Sequence, residues 1–165
     1  MAAGRSGAIW SVRRLSAEPL MAGPTKIEEF LAEFATIDDQ ELRFEYLIEL
    51  ADRFRPVDPR VAVRPFAAEH RVPGCESEAY LWAEQTSERS LKFHFAVENP
   101  QGVSAKALAV ILDENLSGRP LAEIRAVDPE LVYVIFGRNL TMGKGQGLMG
   151  MIHMIRALAD RQIAA

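Results

Sequence analysis

The chain has 165 residues, of which 48% are hydrophobic and 25% are charged, and this composition is typical of one globular domain with a single core. Its net charge of −4 argues against nucleic-acid binding, and no apolar run approaches the roughly 18 residues that a membrane span needs. A single cysteine excludes an internal disulfide, so we expect a reducing, cytoplasmic setting.

The first twenty residues differ in composition from the rest. They contain no acidic residue before Glu18, and their basic residues are Arg5, Arg13 and Arg14. This bias resembles a weak transit peptide, which would import the protein into an organelle. We favour a simpler interpretation, in which residues 1–22 are a disordered extension or Met21 is the true start. A single domain is predicted over residues 23–165.

Two amphipathic helices are predicted at the start of this domain. Thr25 followed by Glu28 matches a capping box, and apolar residues then recur at helical spacing. Asp38 or Asp39 can cap a second helix, which ends before Pro56.

The middle of the chain favours extended structure. Residues 55–66 contain three prolines and predict a loop. Residues 76–84 and 90–97 alternate apolar and polar side chains, which predicts two strands joined by a hairpin. Residues 69–73 can add a short third strand.

Helical periodicity returns after the strands. One helix is predicted from a cap at Ser104 to a stop at Gly118, followed by short helices over 120–126 and 129–136. After the glycine-rich sequence MGKGQG, a last helix is predicted over 147–162. Because strands and helices are segregated along the chain, we predict an α+β fold, with an antiparallel sheet of about three strands covered on one side by helices.

Cys75 is the first candidate for chemistry. Pro73 and Gly74 precede it, which predicts a rigid loop tip that presents the thiol just before a strand. The alternative is a buried cysteine that acts as a small hydrophobic residue, and the local sequence leaves both open. Glu76 and Glu78 count against a reactive thiol, because nearby negative charge disfavours the thiolate.

Two further patterns are weaker indications of a functional site than Cys75. The MGKGQG sequence lacks the spacing of a phosphate-binding loop, and Gly145 stands where Ser or Thr would hold magnesium. A helix start beside Lys144 can still favour an anion, including a thiolate. His70 and His94 with Cys75 lack the spacing of a zinc site, so no metal is predicted.

Four segments, in order, resemble the SufE-type sulfur acceptors, which activate cysteine desulfurases in iron–sulfur cluster assembly. Residues 74–81, GCESEAYL, are similar to the cysteine signature of that family. The other segments are FEYLIELADRF at 44–54, KALAVILDENLSGRPLAEI at 106–124 and LTMGKGQGLMGMIHMIRALA at 140–159. The resemblance runs from about residue 25 to 162, and it implies the same α+β fold.

The resemblance also implies a function. Cys75 would accept a persulfide sulfur from a SufS-type cysteine desulfurase, stimulate that enzyme and pass the sulfur to an iron–sulfur scaffold. Gly74 would shape the loop, Ser77 would form a hydrogen bond near it, and Lys144 would supply positive charge. The desulfurase carries pyridoxal phosphate, whereas this chain needs no cofactor and has no turnover of its own. Cys75 would lie in an apolar hollow until the partner binds. The oligomeric state stays open, a homodimer included.

The chain departs from the family pattern at several positions. Lys144 replaces an arginine, which keeps the charge and loses the planar fork, Tyr80 replaces a tryptophan, and residues 97–102 replace an acidic run. Two other functions are weighed. A noncatalytic docking regulator would not depend on Cys75, and a one-cysteine redox enzyme would need a supporting base that the sequence does not provide. We rank the sulfur carrier first, the regulator second and the redox enzyme third.

Overall fold

The computed structural model describes residues 23–86 and 89–165, so the expectation about residues 1–22 lies outside the described residues. The described ranges contain six α-helices, one short 3₁₀ helix and two β-strands. In chain order they are α1 (Lys26–Ala35), α2 (Gln40–Asp52), the 3₁₀ helix (Ala68–His70), β1 (Ala79–Gln85), β2 (Leu91–Val97), α3 (Val103–Leu116), α4 (Leu121–Arg125), α5 (Leu131–Phe136) and α6 (Met142–Ala164). No helix in these ranges is long and apolar enough to cross a bilayer.

The predicted starts of the first two helices are confirmed. The Thr25 N–H donates to Glu28 Oε2 at 2.7 Å, and the Thr25 hydroxyl accepts from the Glu28 N–H, which completes the capping box. Asp39, rather than Asp38, caps α2, since its Oδ1 accepts the backbone N–H groups of Glu41 and Leu42.

The sheet contains two antiparallel strands rather than about three among the described residues. The pairing runs from Ala79 opposite Val97 to Gln85 opposite Leu91. The segment expected to form a third strand makes a single bridge, between Arg71 and Tyr80. Its first two residues, Glu69 and His70, belong to the 3₁₀ helix, and its last residue, Pro73, cannot donate a hydrogen bond to a partner strand.

The main core lies between the helices and one face of the sheet. Three buried side chains of the strands, Leu81, Phe93 and Phe95, contribute to it. Its helical part includes Phe34, Leu50, Leu108, Ile111, Leu112, Met151, Ile152 and Ile155. The alternation of the two strands therefore buries one face against helices, as predicted.

The other face of the sheet is also covered, although the sequence predicted cover on one side alone. The loop over residues 55–66 runs along β2, where the Val57 N–H donates to the Phe95 carbonyl at 2.7 Å. Phe66 packs on the Trp82 ring, with a centroid distance of 5.0 Å. This loop therefore forms a small second core over the strands.

Two helices begin earlier than predicted. α3 begins at Val103 with Gly102 as its N-cap, instead of being capped by Ser104. α6 begins at Met142, so the glycine-rich sequence is its first part and not a loop. Glycine weakens a helix by about 1 kcal/mol relative to alanine, and for this reason the sequence predicted a later start. The Thr141 hydroxyl caps α6 by accepting the Lys144 N–H.

Candidate functional site

Cys75 lies in the short loop that connects the 3₁₀ helix to β1. Gly74 has a φ of +68°, and Glu78 has a φ of +51°, so left-handed residues stand on both sides of the cysteine. The Glu78 N–H donates to the Cys75 carbonyl at 3.1 Å, which makes a tight turn before the strand. This turn explains why β1 begins at Ala79 and not at residue 76.

The cysteine side chain points inward from this surface loop. Cys75 is 6% exposed and belongs to the main core cluster, whereas Gly74 and Glu76 on either side are exposed. The predicted loop position is confirmed, but the thiol is not presented to solvent in this conformation. Cys75 therefore lies in a loop, as the first interpretation predicted, and its side chain is buried, as the alternative predicted.

The loop packs against a face of α6 that consists of glycines. A methyl group on Gly147 would lie 2.9 Å from the Cα atom of Cys75, and one on Gly150 would lie 3.2 Å from the Pro73 carbonyl oxygen. A methyl group on Gly143 would lie 2.8 Å from Glu76 Oε1. These three glycines share one side of the helix, so the loop backbone approaches α6 more closely than any side chain would allow.

A cavity of about 220 Å³ opens beside the cysteine. Three of the site residues predicted from sequence, Cys75, Ser77 and Lys144, line it, and Gly74 shapes the loop next to it. The other residues of the lining are Glu76, Asn99, Gln101, Gly102, Ser104, Gly143, Gly147 and Leu148. The fold thus brings together residues from three separate parts of the chain.

Two long helices begin at this cavity. Gly102 and Ser104 at the start of α3 line one side, and Gly143 and Lys144 at the start of α6 line another. The free N–H groups at a helix start give it partial positive charge, and Lys144 adds a full one. The Glu76 carboxylate lies against the first turn of α6, where it complements the helix start.

Ser77 contributes through its backbone. Its carbonyl accepts the Asn99 N–H at 3.2 Å, and the Glu78 carbonyl accepts the Glu98 N–H at 3.2 Å. These bonds attach the C-terminal end of the cysteine loop to the residues that follow β2. The loop is therefore held firmly at this end, while its middle rests on the glycines of α6.

The sequence interpretation missed the part of the lining that follows β2. Asn99 forms a turn there, since its Oδ1 accepts the Gln101 N–H at 2.9 Å. A methyl group on Gly102 would lie 2.7 Å from a Val97 methyl carbon and 3.1 Å from the Ser77 Cβ atom. The sequence Asn-Pro-Gln-Gly at residues 99–102 predicts a turn, but it does not predict that this turn lies beside the cysteine loop.

The histidines do not join the site. The His70 ring stacks on Trp82 and its Nδ1 lies 3.1 Å from the Leu81 carbonyl, while His94 pairs with Glu84 at 2.7 Å. Neither histidine lines the cavity with Cys75. Within residues 23–86 and 89–165, no three His, Cys, Asp or Glu residues are grouped so that they could hold a metal ion.

The fold and the site define an α+β protein that shelters one thiol where two helices begin. The chain belongs to the SufE family, because the profile described as the SufE Fe-S metabolism associated domain matches residues 28–159. Membership gives the protein a role in iron–sulfur metabolism, and it confirms the family and the fold expected from the sequence.

Relatives with known sequences carry the same family name. SufE-like protein 1, chloroplastic/mitochondrial, from Arabidopsis thaliana is 25% identical over 143 residues. The match covers 86% of this chain but 37% of that protein, so this chain spans little more than a third of the relative. An uncharacterized SufE-like protein from Rhizobium etli is 26% identical over 141 residues, which cover 84% of this chain and 93% of the relative.

A solved structure shows the same fold. The solution structure of a hypothetical protein from Thermus thermophilus superposes with a TM-score of 0.69. The superposition covers 87% of this chain and 100% of that one, at 22% sequence identity. At this identity the likeness establishes the architecture alone.

Proposed function

We propose that the protein is a sulfur carrier that accepts sulfur on Cys75 from a cysteine desulfurase and delivers it to an iron–sulfur scaffold. The observation that carries the proposal is the position of Cys75, in a cavity that it shares with Lys144 and two helix starts. The family match supports the same metabolic setting. We place the reaction in the cytoplasm; import into an organelle would depend on residues 1–20, which lie outside the described ranges.

The proposed reaction is an exchange between sulfurs. Cys75, as the thiolate, attacks the outer sulfur of the donor persulfide, R–S–SH. The donor S–S bond breaks, a new S–S bond forms on Cys75, and the donor sulfur leaves as a thiolate. Delivery repeats this step, with an acceptor thiolate attacking the outer sulfur of Cys75–S–SH. No oxidant or reductant is consumed in either direction.

The surroundings of the cysteine favour this exchange. The attacking, transferred and leaving sulfurs share one negative charge, and their net charge does not change during the step. The Lys144 ammonium group and the starts of α3 and α6 provide positive potential at the cavity. This positive potential complements the charge that is passed on, and the Glu76 carboxylate in the same lining opposes it.

Burial of the thiol implies a movement of the loop. In the observed conformation Cys75 is too enclosed to meet a sulfur held on another protein. The loop ends are fixed by the Val72 N–H, which donates to the Ala79 carbonyl at 2.8 Å, and by the backbone of Ser77. We infer that residues 73–76 lift from α6 when the desulfurase binds. Until then burial protects the thiol from oxidation.

The pyridoxal phosphate of the reaction belongs to the desulfurase in this proposal. That cofactor generates the persulfide on the desulfurase from free cysteine. The residues of this chain accept, shelter and pass on the sulfur, and they do not turn over a substrate alone.

Mass spectrometry of the intact protein tests the proposal directly. The protein is incubated with a cysteine desulfurase, pyridoxal phosphate and cysteine. We expect a gain of about one sulfur atom per chain, which a thiol reductant removes and which Cys75→Ala does not acquire. Absence of the gain with a desulfurase that binds the protein would overturn the carrier mechanism.

One observation favours a second candidate, a docking regulator without sulfur chemistry. Cys75 packs in the core as a small hydrophobic residue does, and a structural role would account for that burial. A regulator would still stimulate the desulfurase after Cys75→Ala, whereas a carrier would not. A thiol redox enzyme ranks third, because no histidine is among the described residues that line the cavity.

A further inference from the structure

The cysteine loop contains two acidic residues, and their neighbours differ. The Glu78 carboxylate pairs with Arg71, whose Nη2 lies 3.6 Å from Glu78 Oε1. The Glu76 carboxylate lies against α6, where a methyl group on Gly143 would come within 2.8 Å of its Oε1. In the described part of the chain, no basic side chain forms an ion pair with Glu76. Its neighbour is therefore a helix start rather than a paired side chain.

The start of α6 can be complemented by a carboxylate from another part of the chain. The first N–H groups of a helix have no partner within it, and the Thr141 hydroxyl accepts that of Lys144. The N–H groups of Met142 and Gly143 are left to groups outside the helix. The first turn of α6 contains no acidic residue of its own. Glu76 thus supplies negative charge where the helix start is positive.

Glu76 is also the one charged residue of the segment that must open. Residues 73–76 are Pro, Gly, Cys and Glu. The backbone of the first three packs against Gly147 and Gly150, which is contact between uncharged groups. The contact of Glu76 with the first turn of α6 is therefore the charged contact of this segment, and it is lost when the segment lifts.

We propose that Glu76 is an electrostatic latch, whose carboxylate holds residues 73–76 against the first turn of α6 and keeps Cys75 covered in the free protein. The inference rests on the proposed function for its purpose, and it names the residue that regulates exposure of the thiol. Glu76 is a positioning residue, since it acts on the loop and not on the transferred sulfur. An anion at an exposed helix start shifts such an equilibrium by roughly twofold to fivefold at low ionic strength.

The test measures how well the fold protects Cys75 in the free, full-length chain. Protection is the rate of alkylation by iodoacetamide in the unfolded chain divided by the rate in the native chain. Iodoacetamide is uncharged, so a change in protein charge does not steer it. Glu76→Gln removes the charge and keeps the size of the side chain. Glu78→Gln is the matched control, because it removes the same charge from the same loop at the contact with Arg71.

Gly143→Ala disturbs the same contact without removing a charge. Its methyl group would meet Oε1 and Cδ of Glu76, at 2.8 and 3.6 Å. Both atoms are at the free end of a flexible side chain, so the carboxylate moves and the loop backbone does not. Gly143→Ala should therefore reduce protection as Glu76→Gln does, and the double variant should lose no more than either single variant.

We expect protection to fall roughly twofold to fivefold in Glu76→Gln at low ionic strength and to keep the wild-type value in Glu78→Gln. The difference between Glu76→Gln and the wild type should close in about 0.5 M NaCl, because salt screens an exposed charge. Wild-type protection in Glu76→Gln, an equal loss in Glu78→Gln, or losses that multiply in the double variant would each overturn the latch.

The latch and the sulfur carrier can fail separately. No desulfurase is present in the alkylation measurement, so a negative result there leaves the carrier function standing. Conversely, a wild-type chain that binds a desulfurase and gains no sulfur would refute the carrier, while the effect of Glu76 on the protection of Cys75 would still be measured.

Discussion

Gly147 and Cys75 are packed so closely that a methyl group on the glycine would lie 2.9 Å from the Cα atom of the cysteine. The neighbouring atoms belong to the backbone of the loop, and backbone cannot rotate away as a side chain can. We therefore predict that Gly147→Ala forces the loop off α6 and destabilises the protein by about 1–3 kcal/mol. Cys75 should react with iodoacetamide more rapidly than in the wild type.

Gly145→Ala is the matched control for this substitution. It adds the same methyl group one half-turn away on α6, where the nearest atom is the Tyr133 hydroxyl oxygen at 3.2 Å. The alkylation rate of Cys75 should stay at the wild-type value. Equal rates in all three proteins would show that the glycine face does not hold the loop.

Lys144 should matter for the rate of sulfur transfer through its charge. Lys144→Gln removes the positive charge from the cavity, and we expect transfer to Cys75 to slow by roughly threefold to tenfold, because one nearby charge contributes on the order of 1 kcal/mol. Lys144→Arg should retain most of the rate. Persulfide formation in single-turnover experiments measures the effect.

Lys26→Gln is the control for charge alone. Lys26 lies on α1 and donates to the Glu114 carbonyl, so it is not part of the cavity lining. The net charge of the protein changes equally in both variants. A similar slowing by both would point to a general effect on association rather than to a local effect of Lys144.

Cys75 should become accessible when the desulfurase binds. Alkylation of the free protein is expected to be at least about tenfold slower than that of an unfolded control, because a buried thiol reacts only when its segment opens. A desulfurase whose own cysteine is replaced by serine should accelerate alkylation without transferring sulfur. An unchanged rate in the saturated complex would contradict the opening of residues 73–76.

A pH-dependent contribution to stability is expected from Arg64 and Glu98. The Arg64 guanidinium donates to both oxygens of Glu98, at 2.7 and 2.8 Å, and these hydrogen bonds lower the pKa of Glu98 below 4.5. Because the folded pKa is depressed, the contribution is full above the unfolded pKa and disappears as the pH falls through the folded one. Both side chains reach solvent, so the contribution should be small.

Urea unfolding of the wild type and Arg64→Gln at several pH values measures this contribution. The difference in the free energy of unfolding should be present at pH 7 and should close below pH 4.5. The Asp58 carboxylate is a useful contrast, because hydrogen bonds from Arg60 lower its pKa to about 2. Any difference caused by Arg60→Gln should persist to lower pH, and a common pH dependence would argue against both assignments.

Local signals in the sequence were enough to predict the caps of the first two helices and the pairing of the two strands. Thr25 and Glu28 stand at the spacing of a capping box, and the alternation in β2 identifies the buried face of the sheet. The position of Cys75 in a loop also followed from its neighbours. These features depend on a few adjacent residues, so no knowledge of distant contacts was needed.

The early start of α6 and the cavity depend on tertiary contacts and could not be predicted in this way. Intrinsic preference disfavours a helix with glycines at 143, 145, 147 and 150, and the structure overrides it because the cysteine loop packs against the face formed by Gly143, Gly147 and Gly150. Asn99 and Gln101 join the site only because backbone bonds attach their turn to Ser77 and Glu78. The spacing of residues along the chain does not show which distant segments are in contact in the fold.

The glycine face of α6 also has a consequence for biosynthesis. Cys75 is made well before Gly147, so the ribosome releases the cysteine loop before the surface that covers it exists. The nascent chain therefore carries a bare thiol until its last described helix docks. Chaperones and cellular reductants would have to protect the thiol during that time. A chain truncated before α6 should form intermolecular disulfides.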